Sequence, residues 1–219
     1  MPEPEQAALA VSRGLRSAVG TYGFFRGGLI AEQGKRHDET LSPLAERIEF
    51  PTDWRWLICE PISEAGLSGD EEAKAFSKVP SASISEVDWL KDKLWQDLVP
   101  ALKKKDFDGF SEALFEYGRR AGECFAEVQG GPYRNPEIAR LVDCLRELGC
   151  GGVGQSSWGP SVFALAPNDA VAETLAQQVQ LQIGRTRLKQ VQIVPPRNRG
   201  YEIIHHQESE AARSCQNSV

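Results

Sequence analysis

The feature that most constrains the fold of this chain is the order of helical and strand-like hydrophobic patterns after Pro136. Helical spacing predicts a helix that begins at Pro136 and is closed by Gly149 in a left-handed cap. An apolar strand follows at 161–166, and a second helix at Asn168 or Asp169, either of which can cap it. Two more strands are predicted around 189–194 and 201–205. The order helix, strand, helix, strand, strand is typical of an α+β layer with its helices on one face of a sheet. The apolar face of the first helix is Ile138, Leu141, Val142, Leu145 and Leu148, and that of the second is Val171, Leu175 and Val179.

Two further amphipathic helices are predicted upstream. The first follows a mixed segment at 67–85 and is interrupted near Pro100; its apolar stripe is Val87, Leu90, Leu94, Leu98 and Leu102. The second begins after Asp106 or Asp108, and its face is Phe107, Phe110, Leu114, Tyr117, Ala121 and Phe125.

The first sixty residues are predicted to contain one helix and two strands. Small apolar residues predict a helix over 6–20, and the apolar, glycine-containing run 24–31 is typical of a strand. Between Pro51 and Pro61, Trp54, Trp56 and Ile58 alternate with their neighbours, which predicts a strand that is buried on at least one face.

Composition and charge exclude several classes of protein. With 219 residues, 41% hydrophobic and 26% charged, the chain is globular rather than disordered or fibrous. A net charge of −6 argues against a partner that is nucleic acid. The sequence holds no apolar run of the ~18 residues that a membrane span requires, and its first residues are acidic, unlike a signal peptide. We therefore expect a cytoplasmic protein with no membrane partner.

The cysteine and histidine residues do not predict a metal site. The five cysteines are scattered without a CxxC pair, which indicates reduced and mostly buried thiols. His205 and His206 are adjacent in a predicted strand and point to opposite faces, so they cannot bind one metal together.

Two glycine-rich segments are the strongest candidates for a binding site. Residues 12–28 combine five glycines with Arg13, Arg16 and Arg26, and 151–160 offer small residues, two hydroxyls and an amide. Backbone N–H groups at glycines and forked guanidinium donors both suit an oxyanion. The alternative is that the glycines serve only tight turns. A third cluster, 129–134, is typical of a helix stop.

Several segments together resemble one known family. The segment 152–165, GVGQSSWGPSVFAL, resembles the C-terminal glycine motif of the GHMP kinase superfamily. More narrowly, it is similar to the β-ribofuranosylaminobenzene 5'-phosphate synthase (β-RFAP synthase) family. The similarity extends to RGLRSAVG at 13–20, PTDW at 51–54, EP at 60–61 and QGGPY at 129–133. These blocks follow the order they have in that family.

The resemblance implies a phosphoribosyltransferase-like enzyme of tetrahydromethanopterin biosynthesis. Such enzymes join phosphoribosyl pyrophosphate to 4-hydroxybenzoate or 4-aminobenzoate and release CO2 and pyrophosphate, typically with Mg2+. It assigns phosphate binding to Arg13, Arg16 and Ser17, and the walls of an aromatic-ring site to Tyr133 and Trp158. The reacting centre would be lined by Gly152, Gly154, Gln155, Ser156, Ser157 and Gly159. No catalytic acid or base is identified, and a homodimer is the assembly envisaged.

The resemblance also implies the domain organisation. Residues 1–85 would be the remainder of the superfamily's N-terminal domain, which is like ribosomal protein S5, without the upstream glycine-serine loop. Residues 86–206 would form the ferredoxin-like C-terminal α/β sandwich, and 207–219 a polar tail. Two alternatives are an ATP-dependent small-molecule kinase of the same superfamily and an inactive truncated paralogue that acts as a binding subunit.

Overall fold

The chain divides into two units in the computed structural model, which describes residues 6, 8, 10–11, 13–14, 16–36, 38–62, 69–80, 82–184 and 187–203. One unit consists of the described residues up to Arg47 together with 198–203, and the other is Ile48–Arg197. The predicted residues His205, His206 and 207–219 lie outside the described part.

In the first unit, helix α1 (Val19–Arg26) leads into a sheet of two strands, β1 (Leu29–Glu32) and β2 (Leu44–Ile48). The prediction of a strand at 24–31 is therefore wrong for 24–26, which are helical. The cause is a pair of glycines: Gly27 and Gly28 have φ of 63° and 76°, conformations that end the helix and redirect the chain into β1.

The predicted helix over 6–20 is also only partly present. Gln6, Ala8 and Ala10 are helical, but the described residues from Arg13 to Ala18 are not. Gly14 has a φ of 75°, and a Cβ there would lie 2.5 Å from Leu41 Cδ2. The left-handed turn at Gly14 thus separates two short helices that sequence periodicity had merged into one.

The second unit contains an antiparallel sheet of four strands in the order β4-β5-β3-β6. The strands are β3 (Arg55–Pro61), β4 (Val153–Gln155), β5 (Val162–Ala166) and β6 (Leu188–Val194). Strands β3, β5 and β6 confirm the alternating and apolar patterns of the sequence. Strand β4 lies inside the glycine-rich segment and was not predicted, and Tyr201–His205 is not a strand at the positions described, 201–203.

The main core lies on one face of this sheet. Leu57 and Cys59 of β3 and Val162 and Ala164 of β5 are all 0% exposed, and they share a core cluster with the helices α7 (Pro136–Glu147) and α8 (Asp169–Ile183). Both helices begin as predicted, with Asn135 and Asn168 accepting hydrogen bonds from their first-turn N–H groups. The predicted α+β layer with helices on one face is confirmed.

The remaining helices precede α7. They are α2 (Gly69–Phe76), α3 (Ile84–Asp92), a π-helix (Lys93–Leu98), α4 (Val99–Lys104), α5 (Phe107–Glu123) and α6 (Ala126–Gln129). Pro100 lies in the first turn of α4, where a helix needs no N–H donor, so it does not break the chain of helices. Asp106 caps α5 by accepting from Gly109 N at 3.0 Å. Helix α2 lies in the segment that the sequence left as mixed.

The two units do not coincide with the predicted family domains. Strand β3 lies within the predicted N-terminal domain 1–85, yet it pairs with β5 and β6 at the centre of the second unit's sheet. The boundaries at 85/86 and 206/207 stay a prediction about the family's domains. None of the helices that the structure describes is long and apolar enough to cross a membrane.

Candidate functional site

A pocket of about 230 Å³ lies in the second unit where helix α5, the loop after α6 and the turn between β4 and β5 meet. We call it the aromatic pocket. It is smaller than the ~300–1,000 Å³ of pockets for drug-sized ligands, so its size suits a small molecule. Its lining consists of Phe76, Gly118, Ala121, Gly122, Phe125, Gln129, Pro132, Tyr133, Gln155, Ser157 and Trp158, and none of these side chains carries a charge.

Three aromatic rings form one wall of the aromatic pocket. Trp158 meets Phe76 and Phe125 edge to face, with ring centroids 5.2 and 5.4 Å apart, and Phe76 and Phe125 are 5.8 Å apart. This geometry is the favoured one for aromatic pairs, and it fixes the indole of Trp158, which is only 6% exposed. The wall is therefore rigid and apolar, which suits a flat ring.

Tyr133 stands beside this wall and is 8% exposed. No described residue forms a hydrogen bond with its hydroxyl. Burial raises the pKa of Tyr133, and the carboxylate of Asp143 adds to that rise against the opposing charges of Arg119 and Arg146. Tyr133 is thus a neutral phenol that retains its hydrogen-bonding capacity.

Gln155 ties together the two loops that carry these rings. Its Oε1 accepts a hydrogen bond from the backbone N–H of Arg134 at 2.7 Å, and its Nε2 donates to the carbonyl of Ser157 at 2.7 Å. The side chain therefore links the Tyr133 loop to the β4–β5 turn. Gln155 is a positioning residue in this geometry rather than a free donor for a ligand.

The β4–β5 turn presents two exposed hydroxyls, those of Ser156 and Ser157. Ser157 has a φ of 50°, a left-handed conformation that costs a non-glycine residue ~1–2 kcal/mol. Gly159 has a φ of 67°, and its N–H donates to the carbonyl of Ser156 at 2.8 Å. Strained residues of this kind are frequent in ligand-binding turns.

Gly152 and Gly154 have a packing role that involves no ligand. Both are buried, and a Cβ at Gly154 would lie 2.7 Å from the ring of Phe163. A Cβ at Gly152 would lie 3.1 Å from Leu165 Cβ and 3.3 Å from the backbone of Ser111 on α5. These two glycines let β4 pack against its neighbours.

The first glycine-rich segment lies in the other unit. Arg13, Arg16 and Ser17 are all exposed, and Ser17 Oγ accepts from the N–H of Val19 at the start of α1. Arg13 and Ser17 border a groove of about 580 Å³ whose floor includes the exposed ring of Phe24. Two of the three predicted phosphate-binding residues thus lie on one groove, and Arg16 is not among its lining residues.

The structure brings Tyr133, Gln155, Ser157 and Trp158 together around one pocket, whereas Gly152, Gly154, Ser156 and Gly159 are not among its lining residues. Phe76, Phe125 and Gly118 were not predicted as site residues. Phe125 was predicted on the apolar face of the helix that begins after Asp106 or Asp108, but in the structure α5 ends at Glu123 and Phe125 follows it. Phe76 lies in the segment 67–85, where no periodicity was detected.

The Mg2+ implied by the family resemblance would need oxygen ligands among the described residues. Within that part of the chain, no group of three or more His, Cys, Asp or Glu side chains is placed so as to hold a metal ion. Magnesium is bound by several oxygen ligands, with carboxylates as the usual protein donors. Because Mg2+ usually keeps several waters and is held by one or two carboxylates together with substrate phosphates, the Mg2+ implied by the family resemblance stays a prediction.

Comparison with known proteins supports the resemblance. The family described as "GHMP kinases C terminal" matches residues 98–183. Two curated relatives, each named "Beta-ribofuranosylphenol 5'-phosphate synthase", come from Methanothermobacter thermautotrophicus and Archaeoglobus fulgidus. They are 26% identical over 73% of this chain and 27% identical over 75% of it. The chain spans about half the length of both relatives, 51% and 53%.

Among solved structures, mevalonate diphosphate decarboxylase from Staphylococcus aureus has a similar fold. The TM-score is 0.63 with 17% sequence identity, over 92% of this chain and 59% of that chain. At this identity the likeness concerns the fold alone.

Proposed function

We propose that the chain acts as a β-RFAP synthase, because residues 98–183 match the family of GHMP kinase C-terminal domains and the fold is similar to that of a mevalonate diphosphate decarboxylase. It would condense phosphoribosyl pyrophosphate with 4-hydroxybenzoate or 4-aminobenzoate and release CO2 and pyrophosphate, in tetrahydromethanopterin biosynthesis. The observation that carries the proposal is an uncharged, aromatic-walled pocket in a chain similar over three quarters of its length to two such synthases.

Of the two acceptors, the names of the relatives favour 4-hydroxybenzoate. A ribofuranosylphenol phosphate is the product expected when the ring bears a hydroxyl. The ring carbon that bears the carboxylate would supply the electron pair for a bond to C1 of the ribose, and pyrophosphate leaves with the pair of the broken C–O bond. The bond to the carboxylate then breaks, its electrons restore the aromatic ring, and CO2 leaves.

The aromatic pocket suits this reaction in two ways. The wall of Phe76, Phe125 and Trp158 gives a flat ring an apolar face to pack against. The uncharged lining stabilises a carboxylate less than water does, whereas CO2 needs no such stabilisation. The pocket therefore favours loss of the carboxylate once the new bond has formed.

Phosphate binding is proposed for Arg13, Arg16 and Ser17. Guanidinium groups form paired, charge-assisted hydrogen bonds with phosphate oxygens, and both arginines are exposed. Ser156 and Ser157 would add hydroxyl donors at the β4–β5 turn.

The test is release of labelled CO2 from carboxyl-labelled 4-hydroxybenzoate by this chain with phosphoribosyl pyrophosphate and Mg2+. We expect CO2 and pyrophosphate to appear in equal amounts and only when both substrates are present. Carboxyl-labelled benzoate is the control, because it lacks the electron-donating hydroxyl and should release nothing. Phosphoryl transfer from ATP to a small molecule would instead favour a kinase, and binding of both substrates without turnover would favour a binding subunit.

A further inference from the structure

Gly118 is a glycine in the interior of helix α5, at a place where no packing contact requires one. Glycine weakens a helix interior relative to alanine. A Cβ built at Gly118 meets no atom within 4 Å, so the fold would accept a side chain there. Yet Gly118 is half-buried and lines the aromatic pocket. Any side chain at position 118 would therefore occupy space that belongs to the pocket.

Gly122, one turn further along α5, provides a contrast. It lines the same pocket, but a Cβ there would clash with the carbonyl of Pro132. The close approach of α5 to the loop before Tyr133 is thus a sufficient reason for glycine at 122. The same reason does not exist at 118.

We propose that Gly118 leaves the space in the aromatic pocket that the ring of a single-ring benzoate or phenol occupies. The inference rests on the proposed function for the identity of the ring. The ring would pack against Trp158 and Phe125, with one edge above the bare backbone of Gly118. Since the pocket is only about 230 Å³, a few added carbon atoms at position 118 are enough to exclude a ring.

Two variants separate pocket volume from helix stability. Alanine and leucine have nearly equal helix propensity, so Gly118→Ala and Gly118→Leu should both unfold at or above the wild-type midpoint temperature. They differ by three carbon atoms in the pocket. By calorimetric titration, we expect Gly118→Ala to bind 4-hydroxybenzoate within about threefold of wild type and Gly118→Leu at least about tenfold more weakly. Gly118→Met replaces the leucine variant if that variant does not fold.

The outcomes distinguish this inference from the proposed function. Equal affinity of Gly118→Leu and wild type for 4-hydroxybenzoate would overturn the role of Gly118, even if the wild type releases CO2. The role of Gly118 would also be overturned if the wild type binds neither 4-hydroxybenzoate nor phenol. A third outcome is that Gly118→Leu alone loses binding of 4-hydroxybenzoate, while the wild type releases no CO2 with phosphoribosyl pyrophosphate. In that case the role of Gly118 is supported and the proposed reaction is wrong.

Discussion

At the scale of single residues, two side chains of the site have hydrogen-bonding roles that their residue types do not predict. Gln155 offers an amide that a ligand could use, but both of its ends bind backbone groups of neighbouring loops. Tyr133 shows the opposite behaviour: it is nine-tenths buried, yet its hydroxyl bonds to no described residue. Tyr133 is therefore the better candidate for a direct polar contact with the acceptor.

This contrast leads to a prediction for Tyr133→Phe. Removing a hydroxyl that has no hydrogen-bond partner among the described residues should leave the free energy of unfolding within about 0.5 kcal/mol of wild type. Loss of a hydrogen bond to the acceptor should raise the KM for 4-hydroxybenzoate about tenfold, which corresponds to ~1.4 kcal/mol. Urea unfolding and steady-state kinetics measure the two quantities. A destabilised variant with an unchanged KM would show that the hydroxyl serves the fold.

The buried thiols lead to a prediction about alkaline pH. Burial raises the pKa of Cys59 to about 12 and that of Cys150 to about 11, from 9.0. The unfolded chain therefore loses these protons at lower pH than the folded chain does. The stability that the neutral thiols contribute is fully present below pH 9 and decreases as the pH rises from about 9 to about 12.

We expect the free energy of unfolding, measured in urea, to fall over this alkaline range. The slope against pH should be shallower in Cys59→Ala, although that variant is less stable at neutral pH because it loses buried atoms. Equal pH dependence of the free energy of unfolding in wild type and Cys59→Ala would contradict this prediction. It would show that Cys59 has the same pKa in the folded and the unfolded chain.

At the scale of elements, the glycines of segment 151–160 explain why a strand there could not be predicted from the sequence. The segment 151–160 was expected to be a cradle of backbone donors, and instead its first half is strand β4. Glycines at 152 and 154 hid the strand, because they removed the side chains whose alternation would have predicted it. These glycines allow β4 to pack closely against residues that are distant in the sequence. The periodicity of a single segment cannot predict such contacts.

Gly154→Ala tests this packing role. The added Cβ would lie 2.7 Å from Cζ of Phe163, so this ring, which packs edge to face against Trp56, must move. Overpacking of this kind costs ~1–3 kcal/mol, and we expect a loss of that size in urea unfolding. Gly118→Ala is the matched control, because the same added methyl group meets open space and improves the helix. Equal stability of the two variants would contradict the packing role of Gly154.

Strands and helices with strong periodicity were predicted well. The alternation from Trp54 to Cys59 became β3, and the caps at Asp106, Asn135 and Asn168 begin α5, α7 and α8. Errors occurred where backbone conformation, rather than side-chain pattern, decides the structure, as at Gly14 and Gly27. The aromatic pocket could be predicted only through Tyr133 and Trp158, since Phe76 and Gly118 reach it by tertiary packing.

At the scale of the whole molecule, the proposed function assigns the two substrates to different residues. Arg16 is proposed for phosphate and Tyr133 for the aromatic acid. Arg16→Ala should therefore raise the KM for phosphoribosyl pyrophosphate about tenfold while leaving that for 4-hydroxybenzoate within about twofold. Arg36→Ala is the control, because Arg36 is an exposed arginine of the same unit that pairs with Glu39. If Arg16→Ala and Arg36→Ala raise the KM for phosphoribosyl pyrophosphate equally, the effect comes from the loss of positive charge in general and not from a phosphate contact of Arg16.

The central claim is that the aromatic pocket holds the ring of the acceptor. The most direct measurement is an isotope-filtered nuclear Overhauser experiment between the ring protons of 4-hydroxybenzoate and the isotope-labelled protein. The account predicts contacts to the side chains of Trp158, Phe125 and Tyr133. Contacts to Phe24 and Thr21 in the groove of the first unit instead, or none with the chain saturated, would contradict it.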